Sequence, residues 1–213
     1  MTSISIIGMG TMAHILGARA VAGGNTVEVI GRDEAKSSAL VSELGGDTTA
    51  GTIGSAPAGD IVILALPYPS VVDVVGQIGD ALSDKILVDI SNPFDRADMT
   101  QLMTPRDSSA AQEIAKVAPA GAQVVKAFNT LMGHVLAATQ IGDPPLDVFI
   151  AGDDAGAKER VSSFVDSLGL RPLDTGDLKV AHWLEGAGVL MVAPLIGKAV
   201  GSSNFWLGIN TLG

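Results

Sequence analysis

The chain of 213 residues carries 13 Lys+Arg against 23 Asp+Glu, a formal net charge of −10, with 47% hydrophobic and 17% charged residues. So apolar a composition excludes a disordered chain, and so acidic a balance argues against a nucleic-acid or anionic-membrane partner, which would need clustered Lys and Arg. There is no cysteine, which excludes disulfides, zinc–thiolate sites, iron–sulfur clusters and thiol nucleophiles.

The N-terminus has no basic targeting segment and runs at once into Ser3–Ile7, a strand apolar enough to be buried on both faces. Met12–Ala22 then predicts a helix ended by Gly23-Gly24-Asn25, Thr26–Ile30 a second strand, and Asp33–Leu44 a helix closed by Gly45-Gly46. Ile61–Leu66 is the strongest strand signal and is stopped by Pro67 and Pro69. Helix Ser70–Ile78, strand Ile86–Ile90, helix Ser108–Val117, strands Gln123–Phe128 and Leu146–Ala151, and helix Asp154–Leu168 follow. From Leu178 onward apolar helical runs alternate with Gly and Pro breaks. The most apolar stretch, Gly186 to Gly197, is shorter than the about 20 residues of a bilayer span, so a cytoplasmic protein with no membrane partner is expected. Strand and helix alternate through about residue 128, which predicts an α/β fold with a doubly wound parallel sheet. A seam at Gly142-Asp143-Pro144-Pro145 divides the chain into residues 1–142 and a smaller C-terminal lobe, residues 143–213.

Between the first strand and the first helix stands Gly8-Met9-Gly10-Thr11-Met12-Ala13, a G-x-G-x-x-A turn in the setting of an NAD(P)-binding Rossmann fold. Gly8 permits the tight turn, Gly10 lets a pyrophosphate approach the backbone, and Ala13 lets the helix pack closely on the strand. After the second strand the sequence reads Ile30-Gly31-Arg32-Asp33-Glu34-Ala35-Lys36, without the acid at the strand end that holds an NAD ribose. Arg32 and Lys36 share a helical face and suit a 2′-phosphate, which points to NADP; an ordinary charged first turn is the plainer alternative. Three more strand ends face the same crevice, and they make Leu66, Pro67, Tyr68, Asn92, Pro93, Asn129 and Thr130 candidates for the nicotinamide end. Pro and Asn are also common turn residues for reasons unconnected with ligands.

No nucleophile elbow, H-E-x-x-H or P-loop is present. His14, His134 and His182 are scattered and read as packed or capped residues; Asp153-Asp154 reads as a helix cap, and Asp95 and Asp98 as loop acids. A nucleotide site without an acid–base pair or a metal site suits hydride transfer between two bound cofactors, where the protein supplies alignment.

The order Gly8–Ala13, Arg32 with Lys36, Asp60–Pro67, Ser108–Val117 leading into Val124–Thr130 resembles the coenzyme F420-dependent NADP oxidoreductase family. So does Ala151-Gly152-Asp153-Asp154, a helix, then Leu168-Gly169-Leu170-Arg171-Pro172-Leu173-Asp174-Thr175-Gly176, a segment that a generic Rossmann protein does not require. The resemblance implies NADP(H) as cofactor, a homodimer, a small C-terminal lobe serving the acceptor site and dimerisation, and hydride exchange with coenzyme F420. The run Lys126-Ala127-Phe128-Asn129-Thr130-Leu131 departs from the archaeal members and is similar to the cytoplasmic reductase domain of membrane ferric reductases, which pass hydride to flavin. The tail with Trp206 and Gly208 departs as well. FMN or FAD therefore stands beside F420 as co-substrate. Two further readings are an NADPH-dependent reductase of a small imine or carbonyl substrate and a non-catalytic NADP-binding redox sensor. The segment Leu184–Val200, with Leu190, Met191, Val192, Leu195 and Ile196, is apolar all round and predicts burial across a dimer interface.

Overall fold

The computed structural model describes residues 2–139, 144–192 and 199–210. The seam residues Gly142 and Asp143, and Leu195 and Ile196 of the apolar segment, lie outside the described residues.

The strands are β1 (Ser3–Ile7), β2 (Thr26–Gly31), β3 (Thr48–Thr52), β4 (Ile61–Leu64), β5 (Ile86–Asp89), β6 (Gln123–Lys126), β7 (Asp147–Gly152) and β8 (Arg171–Asp174). They form one sheet in the order β3-β2-β1-β4-β5-β6-β7-β8. Every neighbouring pair is parallel except β6 and β7, which meet antiparallel through only Val125↔Gly152 and Lys126↔Ala151. The helices are α1 (Thr11–Ala22), α2 (Glu34–Leu44), α3 (Ser70–Ile78), α4 (Ala110–Val117), α5 (Gly133–Ala138), α6 (Ala155–Ser167) and α7 (Ala181–Val192).

The fold follows from the period-2 geometry of strands. In β1, β2 and β4 the residues Ile6, Val29 and Ile63 point into one apolar layer, with Leu16 of α1 and Phe164 of α6. Their neighbours Ile7, Ile30 and Leu64 point into the other, with Val71 and Val75 of α3 and Ile114 of α4. Both faces of the sheet are covered, as a parallel sheet requires. Asp147 in β7 accepts from Arg171 Nε at 2.5 Å and from the amide of Ile209 at 2.6 Å, which fastens the C-terminal tail to the sheet.

The structure adds β3 and β8 to the strands read from sequence, and it continues the sheet through β7, α6 and β8. The strand expected over Gln123–Phe128 ends at Lys126, because Phe128 takes a left-handed conformation at φ 62° and turns the chain away. That costs about 1–2 kcal/mol in a non-glycine residue. Phe128 is held there by burial and by an edge-on contact with Phe164, ring centroids 6.4 Å apart. The chain order reverses between β1 and β4, so the carboxyl ends of these strands open a crevice.

Candidate functional site

Gly8, at φ 130°, donates its amide to Ile30 O at 2.9 Å and faces β4 so closely that an added Cβ would overlap the carbonyl oxygen of Ala65 and lie 2.9 Å from its carbon. Gly10 differs: a Cβ there would meet no protein atom within 4 Å. Packing inside the chain therefore demands glycine at position 8 and leaves position 10 open on the crevice side.

Gly10 is also the N-cap of α1, which has no side-chain cap and no acid in its first turn. By contrast Asp33, Ser109 and Asp154 cap α2, α4 and α6 by accepting from Lys36 N at 3.1 Å, Gln112 N at 3.1 Å and Ala157 N at 2.7 Å. The α1 terminus, with Thr11 exposed and Met12 half-buried, leaves its amides and positive dipole end to an anion from outside. Met9 lies half-buried against Gly31, its sulfur 3.2 Å from Ser37 Oγ.

Gly8, Met9, Gly31 and Arg32 line a cavity of about 360 Å³ with Leu66, Pro67 and Gln77. Arg32 is exposed and has no ion pair among the described residues. Lys36 lines the neighbouring cavity, with Met9, Gly10 and Thr11, and its Nζ lies 3.5 Å from Asp33 Oδ2. The two cations flank Met9 on adjacent cavities and do not line one cavity in common. Asp33 sits below the usual carboxylate range because the Lys36 amide hydrogen-bonds its charged form.

At the end of β4, Tyr68 is half-buried, and burial together with the nearby Glu113 and Glu185 carboxylates pushes its hydroxyl pKa up. It stays a neutral donor. At the ends of β5 and β6, Asn92 and Asn129 clasp each other: Asn92 Nδ2 donates to Asn129 O at 2.8 Å, and Asn129 Nδ2 to Asn92 Oδ1 at 3.0 Å. Asn129 Nδ2 also donates to Leu184 O of α7 at 2.8 Å. Pro93 is buried and its carbonyl accepts from Met103 N at 2.7 Å. Ser91 Oγ, Asn129 Oδ1 and Thr130 Oγ1 are buried without a hydrogen-bond partner. Such orphans are uncommon in a native fold.

Beneath the asparagines lies a charge cluster that sequence reasoning did not single out. Lys126, Asp89 and Glu185 are each 0% exposed. Lys126 Nζ donates to Asp89 Oδ2 at 2.8 Å, to Glu185 Oε1 at 2.7 Å and to Ser91 O at 2.6 Å, which uses all its protons. Asp89 Oδ1 accepts from Ser91 N at 2.9 Å, and Glu185 accepts from Ala110 N, the first residue of α4, at 2.9 and 3.1 Å. Burial alone disfavours the ammonium, but the two carboxylates outweigh it and raise the Lys126 pKa; burial also pushes Glu185 up, against Lys126. The available sequence signals were a lone Lys ending an apolar strand and a lone acid in an uncharged helix.

Of the histidines, His14 lines the cavity of Gly10, Thr11 and Lys36, while the bonds of His134 and His182 run to backbone carbonyls. His14 is exposed 3.7 Å from Glu43, His134 Nε2 meets Ser203 O at 2.8 Å, and His182 Nδ1 meets Ser108 O at 2.8 Å. Glu28 accepts from Ser5 Oγ at 2.5 Å and from Ala58 N at 2.8 Å, a bond within the sheet and not at its ligand edge. Among the described residues no three His, Asp or Glu side chains gather as a metal site, and no helix is long and apolar enough to cross a membrane.

Residues 3–93 match the family model described as NADP oxidoreductase coenzyme F420-dependent. An F420-dependent NADP reductase of Methanocaldococcus jannaschii is 31% identical over 143 residues, 65% of this chain and 63% of that protein. A metalloreductase of Rattus norvegicus is 32% identical over 182 residues, 85% of this chain but 35% of that protein. The chain thus spans about a third of the one relative and less than two thirds of the other. A solved structure from Arthrobacter sp. FB24, provisionally assigned as an F420-dependent NADP reductase, superposes with a TM-score of 0.85 at 25% identity over 99% of this chain and 100% of that one.

Proposed function

We propose that this chain, whose residues 3–93 match the model described as NADP oxidoreductase coenzyme F420-dependent, transfers hydride between NADP(H) and a deazaflavin or flavin held at the ends of β4, β5 and β6. The observation that carries the reading is the uncapped α1 terminus at an open Gly10. A dinucleotide fits it: diphosphate oxygens accept from the α1 amides, which no side chain or acid of the first turn occupies.

In this reading Gly8, Met9, Gly10, Thr11 and Met12 hold the pyrophosphate, while Gly31, Arg32 and Lys36 face the 2′-phosphate. Leu66, Pro67, Tyr68, Asn92, Pro93, Asn129 and Thr130 border the nicotinamide and the acceptor. When bound, NADPH supplies the hydride; the chain's own work is alignment, dry walls and the neutral Tyr68 hydroxyl. The archaeal relative, an F420-dependent NADP reductase, supports a deazaflavin as acceptor; the flavin rests on the resemblance of Lys126-Ala127-Phe128-Asn129-Thr130-Leu131 to the reductase domain of ferric reductases. A homodimer belongs to the same proposal, because Trp183 at 72% and Leu190 at 60% exposure give α7 an apolar outer surface.

The test is oxidation of NADPH by purified protein with F420, FMN and FAD in parallel. Bleaching of F420 alone assigns the deazaflavin, turnover with FMN or FAD alone assigns a flavin, and tight NADPH binding without turnover of any of them sinks the proposal and leaves the imine or carbonyl reductase and the sensor. Cofactor choice is tested separately. Arg32→Ala should weaken NADPH binding by about 1.5–3 kcal/mol, the range for charge-assisted hydrogen bonds, and leave NADH nearly untouched. Equal losses in a fluorescence titration with both would remove the 2′-phosphate assignment.

A further inference from the structure

The buried Lys126–Asp89–Glu185 cluster sets one basic group against two acidic ones. Every bond reaching the two carboxylates comes from a donor: Lys126 Nζ and Ser91 N on Asp89, Lys126 Nζ and Ala110 N on Glu185. Among the described residues only donors reach the two carboxyls, an arrangement that suits the carboxylate form of each. Lys126 in turn donates to three oxygens and is an ammonium. One cation against two anions leaves a unit negative charge, only partly offset by the positive end of α4.

That charge sits close under the crevice. Asp89 is three residues before Asn92 and Lys126 three before Asn129, and three residues reach at most about 10 Å. Glu185 follows Leu184, whose carbonyl holds Asn129. All three side chains are 0% exposed, so little water screens them. A site here discriminates between the two redox states of a nicotinamide, because the oxidised ring is a cation and the reduced ring is neutral.

Resting on the NADP(H) reading above, we propose that the buried Lys126–Asp89–Glu185 cluster acts as a fixed counter-charge that favours bound NADP⁺ over bound NADPH and so biases the protein toward donating hydride. Glu185 and Asp89 are positioning residues of charge in this scheme. They touch neither ring, and they act through the field they place beneath the strand ends.

The experiment is a pair of titrations, NADP⁺ and NADPH, on the wild-type chain, Glu185→Gln and Asp89→Asn, read by calorimetry and nicotinamide fluorescence without any acceptor. Removing one unit charge about 10 Å away in a protein interior should raise the ratio Kd(NADP⁺)/Kd(NADPH) about three- to tenfold in each variant. Both variants must move it the same way. An unchanged ratio, even with both affinities weakened, would mean the cluster only supports the fold and would overturn the inference. Asp89→Asn decides the matter alone if Glu185→Gln does not fold. Wild-type protein that binds neither nucleotide would overturn the proposed function and this inference together, so the two failures are distinguishable.

Discussion

Gly8→Ala should lower stability by about 3 kcal/mol and abolish measurable NADPH binding, whereas Gly10→Ala should spare the fold and lose the nucleotide. The difference lies in what surrounds each position. At Gly8 the new methyl overlaps the carbonyl oxygen of Ala65, backbone that cannot rotate aside, and φ 130° is itself strained for any residue with a Cβ. The collision falls between β1 and β4, where Ala65 N donates to Ile7 O at 2.9 Å, so relief requires the two strands to part at the mouth of the crevice. At Gly10 the methyl meets no protein atom within 4 Å, and φ −85° suits alanine. Only a molecule lying on the α1 terminus would feel it. Thermal melts and NADPH titrations of both variants separate the cases. A Gly8→Ala chain that melts with the wild type would contradict the close β1–β4 approach, and a Gly10→Ala chain with full NADPH affinity would move the pyrophosphate elsewhere.

Lys126→Met should cost about 3–5 kcal/mol, the range for breaking a buried ion pair from one side. Methionine fills much the same volume, so the loss is electrostatic: Asp89 and Glu185 remain buried, facing each other without the cation between them. The pH dependence identifies the cause. Burial already holds Glu185 above the ordinary carboxylate range, and Lys126 opposes that push. Without Lys126 its folded pKa rises further, so the folded variant binds a proton that the unfolded chain releases. Stability then falls as pH rises, and the deficit against wild type should narrow on acidification from about pH 8 to about pH 5. Denaturant midpoints across that range provide the check. A deficit that stays constant, or widens in acid, would show that the damage is steric.

The sheet was legible where burial writes itself as unbroken apolar runs. Ile61–Leu64 and Ile86–Asp89 are central strands with both faces covered, and their sequences admit little else. The edge strands carry no such signature. Thr48–Thr52 is a Thr-Thr-Ala-Gly-Thr segment paired on one side only, and Arg171–Asp174 contains a proline and two charges. The glycine turn could be read from spacing, which gave Gly8 the tight turn and Gly10 the approach to a pyrophosphate; what spacing could not show is the Ala65 carbonyl that closes on Gly8. Arg32 and Lys36 read from spacing as neighbours on one helical face, but Arg32 stands before the Asp33 cap of α2 and Met9 comes between the cavities they line. Asn92 and Asn129 were found as strand-end residues; their mutual clasp joins positions 37 residues apart, which no local pattern encodes. The charge cluster was illegible for the same reason, since Asp89, Lys126 and Glu185 lie in three separate segments and each reads singly as a solvated charge.

The contacts that α7 makes with the strand ends have a consequence for anyone recombining this chain with its relatives. Glu185 and the carbonyl of Leu184 fit partners at positions 110, 126 and 129, and Gly188 leaves room for Asn92, whose side-chain oxygen would lie 2.6 Å from a methyl there. A helix transplanted from a relative brings its own acid, or none, to an unmatched lysine. Residues 181–192 are therefore not an interchangeable cartridge for acceptor choice: the tail and the strand ends have to be inherited as one block.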